Sequence, residues 1–295
     1  MSGRLIIGFE GTLQGRDALV LGRRLAVLAA AEPLVAAVFT WPHGVATDDQ
    51  IEKALDTERR GLFDRVFGGL EGTGAGARAI ADRSIAKALT ELAETEEAIA
   101  IVVGSASRGP IGRTLMGSTA GALLNGAPCA VAVAPRGYSE EGAGELRRIA
   151  VAYDGSSEAD AALSAAAGLA ARIDGEVTLI GVADPSYGYE GEWSALTVGA
   201  FRELELEARE EALRAAEERL PRVVAVNTRF LTGPVGPMLA DASGDFDLMF
   251  SGSRGYGPVL RTLLGSSIRS LIAEASCPVM IVPRDDKVMP FGAAV

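Results

Sequence analysis

The chain has 295 residues, of which 48% are hydrophobic and only 5% aromatic, and its formal net charge is −11. That length is enough for two domains of ordinary size, and small aliphatic residues must build their cores. The acidic balance excludes the basic face that binding to a nucleic-acid backbone requires, and no apolar stretch approaches the length of a membrane span.

Short apolar runs alternate with amphipathic stretches through the first half of the chain. The strands predicted there cover residues 5–9, 34–39, 77–81, 99–103 and 130–134. A helix rich in alanine and leucine is predicted to about Ala31, a second over residues 50–70, and a third that Ser84 opens. Strands that alternate with helices predict a parallel sheet covered on both faces.

The same pattern returns after a polar, glycine-bearing linker at residues 136–145. The second set of predicted strands covers residues 149–153, 177–182, 223–230, 246–250 and 279–282. A long amphipathic helix is predicted over residues 201–220. The chain therefore has the same order of elements twice.

Matched residues in the two halves lie at one constant offset of 148 positions. The matched pairs are Gly104 and Gly252, Gly117 and Gly265, Ser118 and Ser266, Cys129 and Cys277, and Pro135-Arg136 and Pro283-Arg284. We interpret this register as a tandem duplication. It predicts two domains, one over residues 1–140 and one over residues 146–295.

A glycine-rich segment leads from the strand predicted at 246–250 into a helix of the second half. Its notable residues are Gly252, Gly255, Gly265, Ser266 and Ser267. Glycines let a backbone approach a phosphate closely, and the N–H groups and dipole of a helix N-terminus favour negative charge. A plain loop followed by a capped helix explains the same residues equally well.

Three features of the second half together resemble the universal stress protein family. They are the G-x2-G-x9-G-S pattern from Gly252 to Ser266, the run Asp154-Gly155-Ser156, and the run Cys277-Pro278-Val279. The resemblance covers nearly the whole chain as two copies, as in a tandem two-domain member. It implies an α/β fold with two tandem parallel five-stranded sheets flanked by helices, each with the strand order 3-2-1-4-5 of Rossmann-like, adenine nucleotide alpha hydrolase-like proteins.

The resemblance also implies an adenine nucleotide site in the second copy, since some members of the family bind ATP and others do not. By position, Asp154 would lie beside the ribose, Ala152 near the base, and the backbone of Val182 against adenine. The residues expected to hold the phosphates are Gly252, Gly255, Gly265, Ser266 and Ser267. The implied cofactor is ATP, with or without Mg²⁺. This agrees with the position of ligand sites at the carboxyl ends of strands in such sheets.

The first copy departs from the pattern at three places. Glu10 stands where Asp154 stands, Ser107 replaces the glycine equivalent to Gly255, and Thr40 replaces Val182. A residue with a Cβ crowds a phosphate and resists positive φ. Gly104, Gly117, Ser118 and Thr119 remain. We expect a degenerate site that binds nucleotide weakly or not at all.

Three functions are compatible with these residues. The first is a cytoplasmic stress-response protein that binds ATP and acts by binding and signalling. The second is a slow Mg²⁺-dependent ATPase or phosphotransferase, although the chain has no G-x-x-x-x-G-K-[ST] loop. The third is an interaction module with no nucleotide bound. His43 is the only histidine, so we predict neither a catalytic Ser-His-Asp triad nor a histidine metal site.

The assembly of the two copies can be predicted from their fifth strands, residues 130–134 and 279–282. In the strand order 3-2-1-4-5 each is an edge strand, and an exposed apolar edge invites pairing. We expect the two copies to pair through these strands, antiparallel across an internal pseudo-two-fold. The alternatives are two independent domains on a flexible tether and a homodimer. Cys129 and Cys277, which precede these strands, are expected to be buried small apolar residues.

Overall fold

The computed structural model describes residues 3–40, 76–105, 116–140, 144–184, 195–220, 224–253, 265–283 and 290–291. The chain divides into two compact units, which separate between residues 143 and 144. Each unit is an α/β layer structure. Within these ranges, no helix combines the length and the apolar character needed to cross a membrane.

In its described residues the first unit contains five parallel strands and three helices. Its elements in chain order are β1 (Arg4–Gly8), α1 (Leu13–Ala29), β2 (Glu32–Phe39), β3 (Gly76–Ala81), α2 (Ile85–Thr95), β4 (Ala98–Gly104), α3 (Ser118–Gly126) and β5 (Ala130–Ala134). The strands pair in the order β3-β2-β1-β4-β5. The side chain of Thr12 caps the start of α1, and Ala30 ends it in a left-handed conformation.

The second unit repeats this arrangement. Its elements are β6 (Arg148–Ala152), α4 (Ser157–Ile173), β7 (Glu176–Ala183), α5 (Ala195–Arg219), β8 (Ala225–Thr232), α6 (Val235–Ala242), a short 3-10 turn (Ser243–Asp245), β9 (Leu248–Gly252), α7 (Ser266–Glu274) and β10 (Val279–Val282). The strands pair in parallel in the order β8-β7-β6-β9-β10. The predicted strand order 3-2-1-4-5 is confirmed in both units.

One helix of the second unit was not predicted, and one predicted helix lies outside the described residues. Gly233 has φ +145°, and its N–H donates to the carbonyl of Ala183 at the end of β7. Pro234 then occupies the N-cap position of α6. Gly233 and Pro234 are residues typical of a turn, and here they also start a helix. The helix predicted over residues 50–70 falls outside the described ranges.

The hydrogen bonds at the ends of β1 and β6 fix how the two copies correspond. The N–H of Phe9 donates to the carbonyl of Ala36, and the N–H of Tyr153 donates to that of Ile180, each at 2.9 Å. The strand pairs agree, because Arg4 lies opposite Glu32 and Arg148 opposite Glu176. In the first two strands the copies are therefore 144 positions apart rather than 148.

This register corrects one prediction about the first copy. Val38 lies two residues after Ala36 on β2, as Val182 lies two residues after Ile180 on β7. Val38 is therefore the counterpart of Val182, and the assignment of Thr40 to that position is wrong. Thr40 lies 142 positions before Val182 and is therefore two residues beyond this register.

The start of the predicted linker is anchored to the first unit. The carboxylate of Asp17, on α1, is buried and accepts hydrogen bonds from the backbone N–H groups of Gly137 and Ser139 and from the Ser139 hydroxyl. Arg24 on the same helix donates to the Tyr138 hydroxyl at 3.0 Å. Residues 136–140 therefore form a turn fixed against α1 rather than a free polar segment.

Candidate functional site at the carboxyl ends of β6, β7 and β9

The candidate site begins where β6 ends before its neighbour β7. Ala152 is the last residue of β6 and lies opposite Ile180, whereas β7 continues to Ala183. Carbonyl groups two residues apart on a strand point to the same side. The carbonyl of Val182 therefore lies on the side of β7 that β6 no longer covers. Ligands in open α/β sheets bind at such strand ends.

Arg209 of α5 donates a hydrogen bond to this carbonyl. Its Nη1 donates to the backbone oxygen of Val182 at 3.0 Å. A carbonyl oxygen has two lone pairs, so a second donor could share it. The predicted contact of the Val182 backbone with a base therefore has a competitor within the chain, which the sequence did not reveal.

The inner face of α5 lines this part of the site. A Cβ placed on Gly155, which has φ +82°, would lie 3.3 Å from the Cβ of Ala212. A Cβ on Gly181 would lie 2.8 Å from Cδ1 of Leu213. Arg209, Ala212 and Leu213 are spaced as neighbours on one helix face. The two glycines therefore let α5 approach the end of β6 and the body of β7.

Asp154 lies at the tip of the turn between β6 and α4. Its Oδ1 accepts a hydrogen bond from the N–H of Ser156 at 3.0 Å, which makes an Asx turn. Ser156 in turn caps α4 by accepting from the N–H of Ala159. The residue predicted to contact a ribose is thus held half-buried at the carboxyl end of its strand, while Ala152 beneath it is buried.

Tyr153 connects the end of β6 to two helices through a polar cluster that sequence reasoning missed. Its hydroxyl donates to Oδ1 of Asp160 at 2.7 Å and accepts from Nη2 of Arg219 at 2.6 Å. Arg219 also binds Asp160 directly at 2.7 Å. This cluster joins the first turn of α4 to the last turn of α5. The only sequence signal was a tyrosine between Ala152 and Asp154.

The pKa of Tyr153 is raised in this cluster, and the pKa of Asp160 is lowered. Burial, with the adjacent Asp160 carboxylate, raises the pKa of Tyr153 to about 12. Burial by itself would raise the pKa of Asp160, but hydrogen bonds from Arg219 and Tyr153 hold it below its usual value. At neutral pH the cluster therefore contains a neutral phenol, a carboxylate and a guanidinium.

Gly252 is required at the end of β9 by the packing of α4. A Cβ at this position would lie 2.6 Å from the carbonyl carbon of Glu158 and 2.7 Å from its Cβ. Backbone atoms of a helix cannot yield to such a contact. One glycine predicted to contact phosphate therefore has a structural role of its own.

The N-terminus of α7 supplies the other described part of the predicted phosphate site. Gly265 is its N-cap, with extended backbone and no side-chain hydrogen bond at the cap. Ser266 is exposed and Ser267 half-buried. Free N–H groups of a first helical turn bind anions, so these residues fit a phosphate. Gly255 lies outside the described residues.

Comparison with known proteins shows the family of the chain. The sequence profile of the Universal stress protein family matches residues 10–135 and again residues 145–283. The chain belongs to the universal stress protein family. Its two matched segments account for nearly all of its length, so it is a tandem member.

Relatives of known name support the same membership. A universal stress protein of Mycobacterium tuberculosis is 26% identical over 301 residues, which cover 95% of this chain and 99% of that protein. One of Mycolicibacterium smegmatis is 36% identical over 149 residues, which cover 47% of this chain and 49% of that protein. A solved universal stress protein of Archaeoglobus fulgidus has a TM-score of 0.64 at 20% identity, and covers 97% of this chain and 98% of that one.

The first copy of this universal stress protein has a small cavity at the equivalent strand ends. Its volume is about 50 Å³. The residues that line it are Gly8, Phe9, Glu10, Gly15, Ala36, Val38, Ile85, Leu89, Val103, Gly104 and Thr119. Ligand pockets usually enclose about 300–1,000 Å³. Glu10 is exposed, and its Oε1 lies 3.5 Å from the hydroxyl of Thr12.

Two features of the first copy match the second. A Cβ on Gly104 would lie 2.2 Å from the carbonyl oxygen of Gln14 on α1, so this glycine has the same packing role as Gly252. Gly117 is the N-cap of α3 and also lacks a side-chain cap, as Gly265 does at α7. Ser107 lies outside the described residues.

A larger open cleft of about 680 Å³ lies at the opposite, amino end of the second unit's sheet. Its charged groups are engaged with one another. Arg148 binds Asp247 at 2.8 Å and Arg147 binds Glu145 at 2.6 Å. The glycine motif and the strand ends at which open α/β sheets bind ligands lie at the other end of this sheet. Among the described residues, no group of His, Cys, Asp or Glu could hold a metal ion.

Proposed function

We propose that this universal stress protein binds ATP through its second copy and acts by binding rather than by turnover. The observation that carries the proposal is the convergence at neighbouring strand ends. Asp154 follows β6, the Val182 carbonyl extends past it on β7, and Gly252 ends β9 on the other side. The uncapped N-terminus of α7 at Gly265 adds an anion site in the connection that follows β9.

The two copies are proposed to bind nucleotide unequally. The support is that Glu10 replaces Asp154 at the end of β1, so that a longer carboxylate stands at the corresponding position of the first copy. The first copy would then serve mainly as a partner for the second.

Titration calorimetry with ATP and Mg²⁺ tests both points. We expect about one high-affinity nucleotide per chain. Gly265→Val should abolish that binding, because a branched side chain would fill the space in front of the helix N-terminus. Gly117→Val is the matched change in the first copy and should leave it intact. Two equal sites, or equal effects of the two variants, would contradict the proposal.

The same samples distinguish binding from turnover. Retention of labelled ATP without product supports a binding protein. Release of ADP or transfer of the label would instead support a slow ATPase or phosphotransferase. Absence of both retention and product would leave an interaction module with no nucleotide.

Pairing of the copies through β5 and β10 remains part of the proposal. Its support is that each strand is wholly apolar and pairs with the fourth strand of its own unit, β4 or β9. Apolar edges favour further pairing. Val131→Asp or Met280→Asp should increase the radius measured by scattering and make unfolding less cooperative. An unchanged radius with one sharp transition would exclude these strands as the contact.

A further inference from the structure

Arg209 lies where a nucleotide base would require a hydrogen-bond acceptor. The Val182 carbonyl is on the side of β7 that β6 has left uncovered, and Nη1 of Arg209 donates to it at 3.0 Å. A guanidinium carries five N–H donors and no acceptor. Arg209 therefore changes the character of this position from acceptor to donor.

The position of Arg209 is fixed by the helix that carries it. Ala212 and Leu213, one turn further along α5, contact Gly155 and Gly181. At the end of the helix Arg219 binds Tyr153 and Asp160. The helix is thus held against the end of β6 and against β7 on both sides of the guanidinium. The packing of α5 therefore holds Arg209 at the candidate site beside the end of β7.

We propose that Arg209 is a specificity-determining residue that weakens the binding of 6-aminopurine nucleotides such as ATP relative to 6-oxopurine nucleotides such as inosine triphosphate. This rests on the proposed function, since it assigns a base preference to the same site. The amino group of adenine is a donor. To reach the Val182 carbonyl, the amino group would have to share it with Arg209 or displace Arg209 from it. A 6-oxo group is an acceptor and does not compete with Arg209 for this carbonyl.

The test compares the affinities of ATP and inosine triphosphate for the full chain and its variants by titration calorimetry. Arg209→Met removes the donors and keeps an unbranched chain. Arg209→Lys keeps a positive donor and should behave like the parent protein. Arg214→Met removes the same charge from an exposed position on the same helix and is the matched control. Arg209→Gln replaces Arg209→Met if the latter does not fold.

We expect Arg209→Met to tighten ATP binding about tenfold, which is the scale of one hydrogen bond to a charged group. The affinity for inosine triphosphate should fall in Arg209→Met, because its 6-oxo group loses a hydrogen-bond donor, and Arg214→Met should change the affinity for neither nucleotide. Equal tightening for both nucleotides, no change for ATP, or weaker ATP binding would each overturn the inference. If neither the parent protein nor Arg209→Met binds either nucleotide, the proposed function fails as well.

Discussion

Gly104 lies so close to Gln14 that a Cβ on the glycine would be 2.2 Å from that residue's carbonyl oxygen. Gly252 has the same relation to Glu158 in the second unit. Gly104→Ala and Gly252→Ala should each lower the free energy of unfolding by about 1–3 kcal/mol. The reason is that the helix opposite the new Cβ, α1 or α4, must move away from its sheet. Gly126→Ala is the control, since a Cβ there meets nothing within 4 Å. Urea unfolding that shows equal stability for all three variants would refute the packing role.

The Tyr153 hydroxyl should ionise later than that of an ordinary tyrosine. Its pKa is raised to about 12 from the usual 10.0 by burial and by the neighbouring Asp160. The raised folded-state pKa contributes stability that is complete below pH 10 and is lost as the pH rises through 12. In an absorbance titration of tyrosinate, the latest transition should disappear in Tyr153→Phe. A Tyr153→Phe curve that keeps this transition would assign it to another residue.

Asp160 should contribute to stability at neutral pH and lose that contribution in acid. Its pKa is held below the usual 3.8, because the bonds from Arg219 and Tyr153 outweigh the effect of burial. A depressed folded-state pKa contributes stability above pH 3.8 that disappears as the pH falls through the folded-state value. Asp160→Asn should therefore lose more stability at pH 7 than at pH 3. Asp174→Asn, on the exposed end of α4, is the control. Equal losses at both pH values would contradict the prediction.

The two thiols should be unreactive in the folded protein. Cys129 and Cys277 are buried, as the sequence predicted, and burial raises the pKa of each to about 12. The thiolate is the reactive form. A thiol reagent at pH 8 should modify neither cysteine in buffer and both in denaturant. Rapid modification in buffer would show that the strands they precede open readily.

The carboxylate of Asp17 should be the main anchor of residues 136–140. It accepts three hydrogen bonds, two from backbone N–H groups and one from the Ser139 hydroxyl. Asp17→Ala leaves these donors without their acceptor and should lower stability by about 2–3 kcal/mol, whereas Ser139→Ala removes one bond and should lower it by about 1 kcal/mol. Proteolysis within the turn should accelerate in Asp17→Ala. Equal and small effects of both changes would show that α1 does not hold this turn.

The fold could be predicted from the sequence because its signals are local and repeated. The ten strands in the described part of the chain follow from apolar runs such as residues 99–103 and 130–134, and the matched glycine motifs reveal the duplication. The starts of β8 and β9 lie two residues later than the sequence predicts. At β9 the reason is that the Asp247 carboxylate accepts hydrogen bonds from the N–H groups of Arg147 and Arg148 at the start of β6, and the strand begins only at Leu248.

The candidate site was predicted only in part. The positions of Asp154 and Gly265 follow from strand ends and helix starts, which local patterns can locate. Arg209 could not be found in this way, because 27 residues separate it from Val182 and its neighbours on α5 are equally charged. Contacts between a helix face and a distant strand end depend on packing that no local pattern encodes.

The packing of Gly104 and Gly252 limits what the glycine motif indicates about ligand binding. Each of these glycines is needed so that a helix can cross its sheet, whether or not a ligand is present. A copy of this domain that had lost its nucleotide would still have to keep its glycine at that place in order to fold. The first glycine of the motif therefore identifies the architecture, and evidence about the ligand has to come from the positions that follow it.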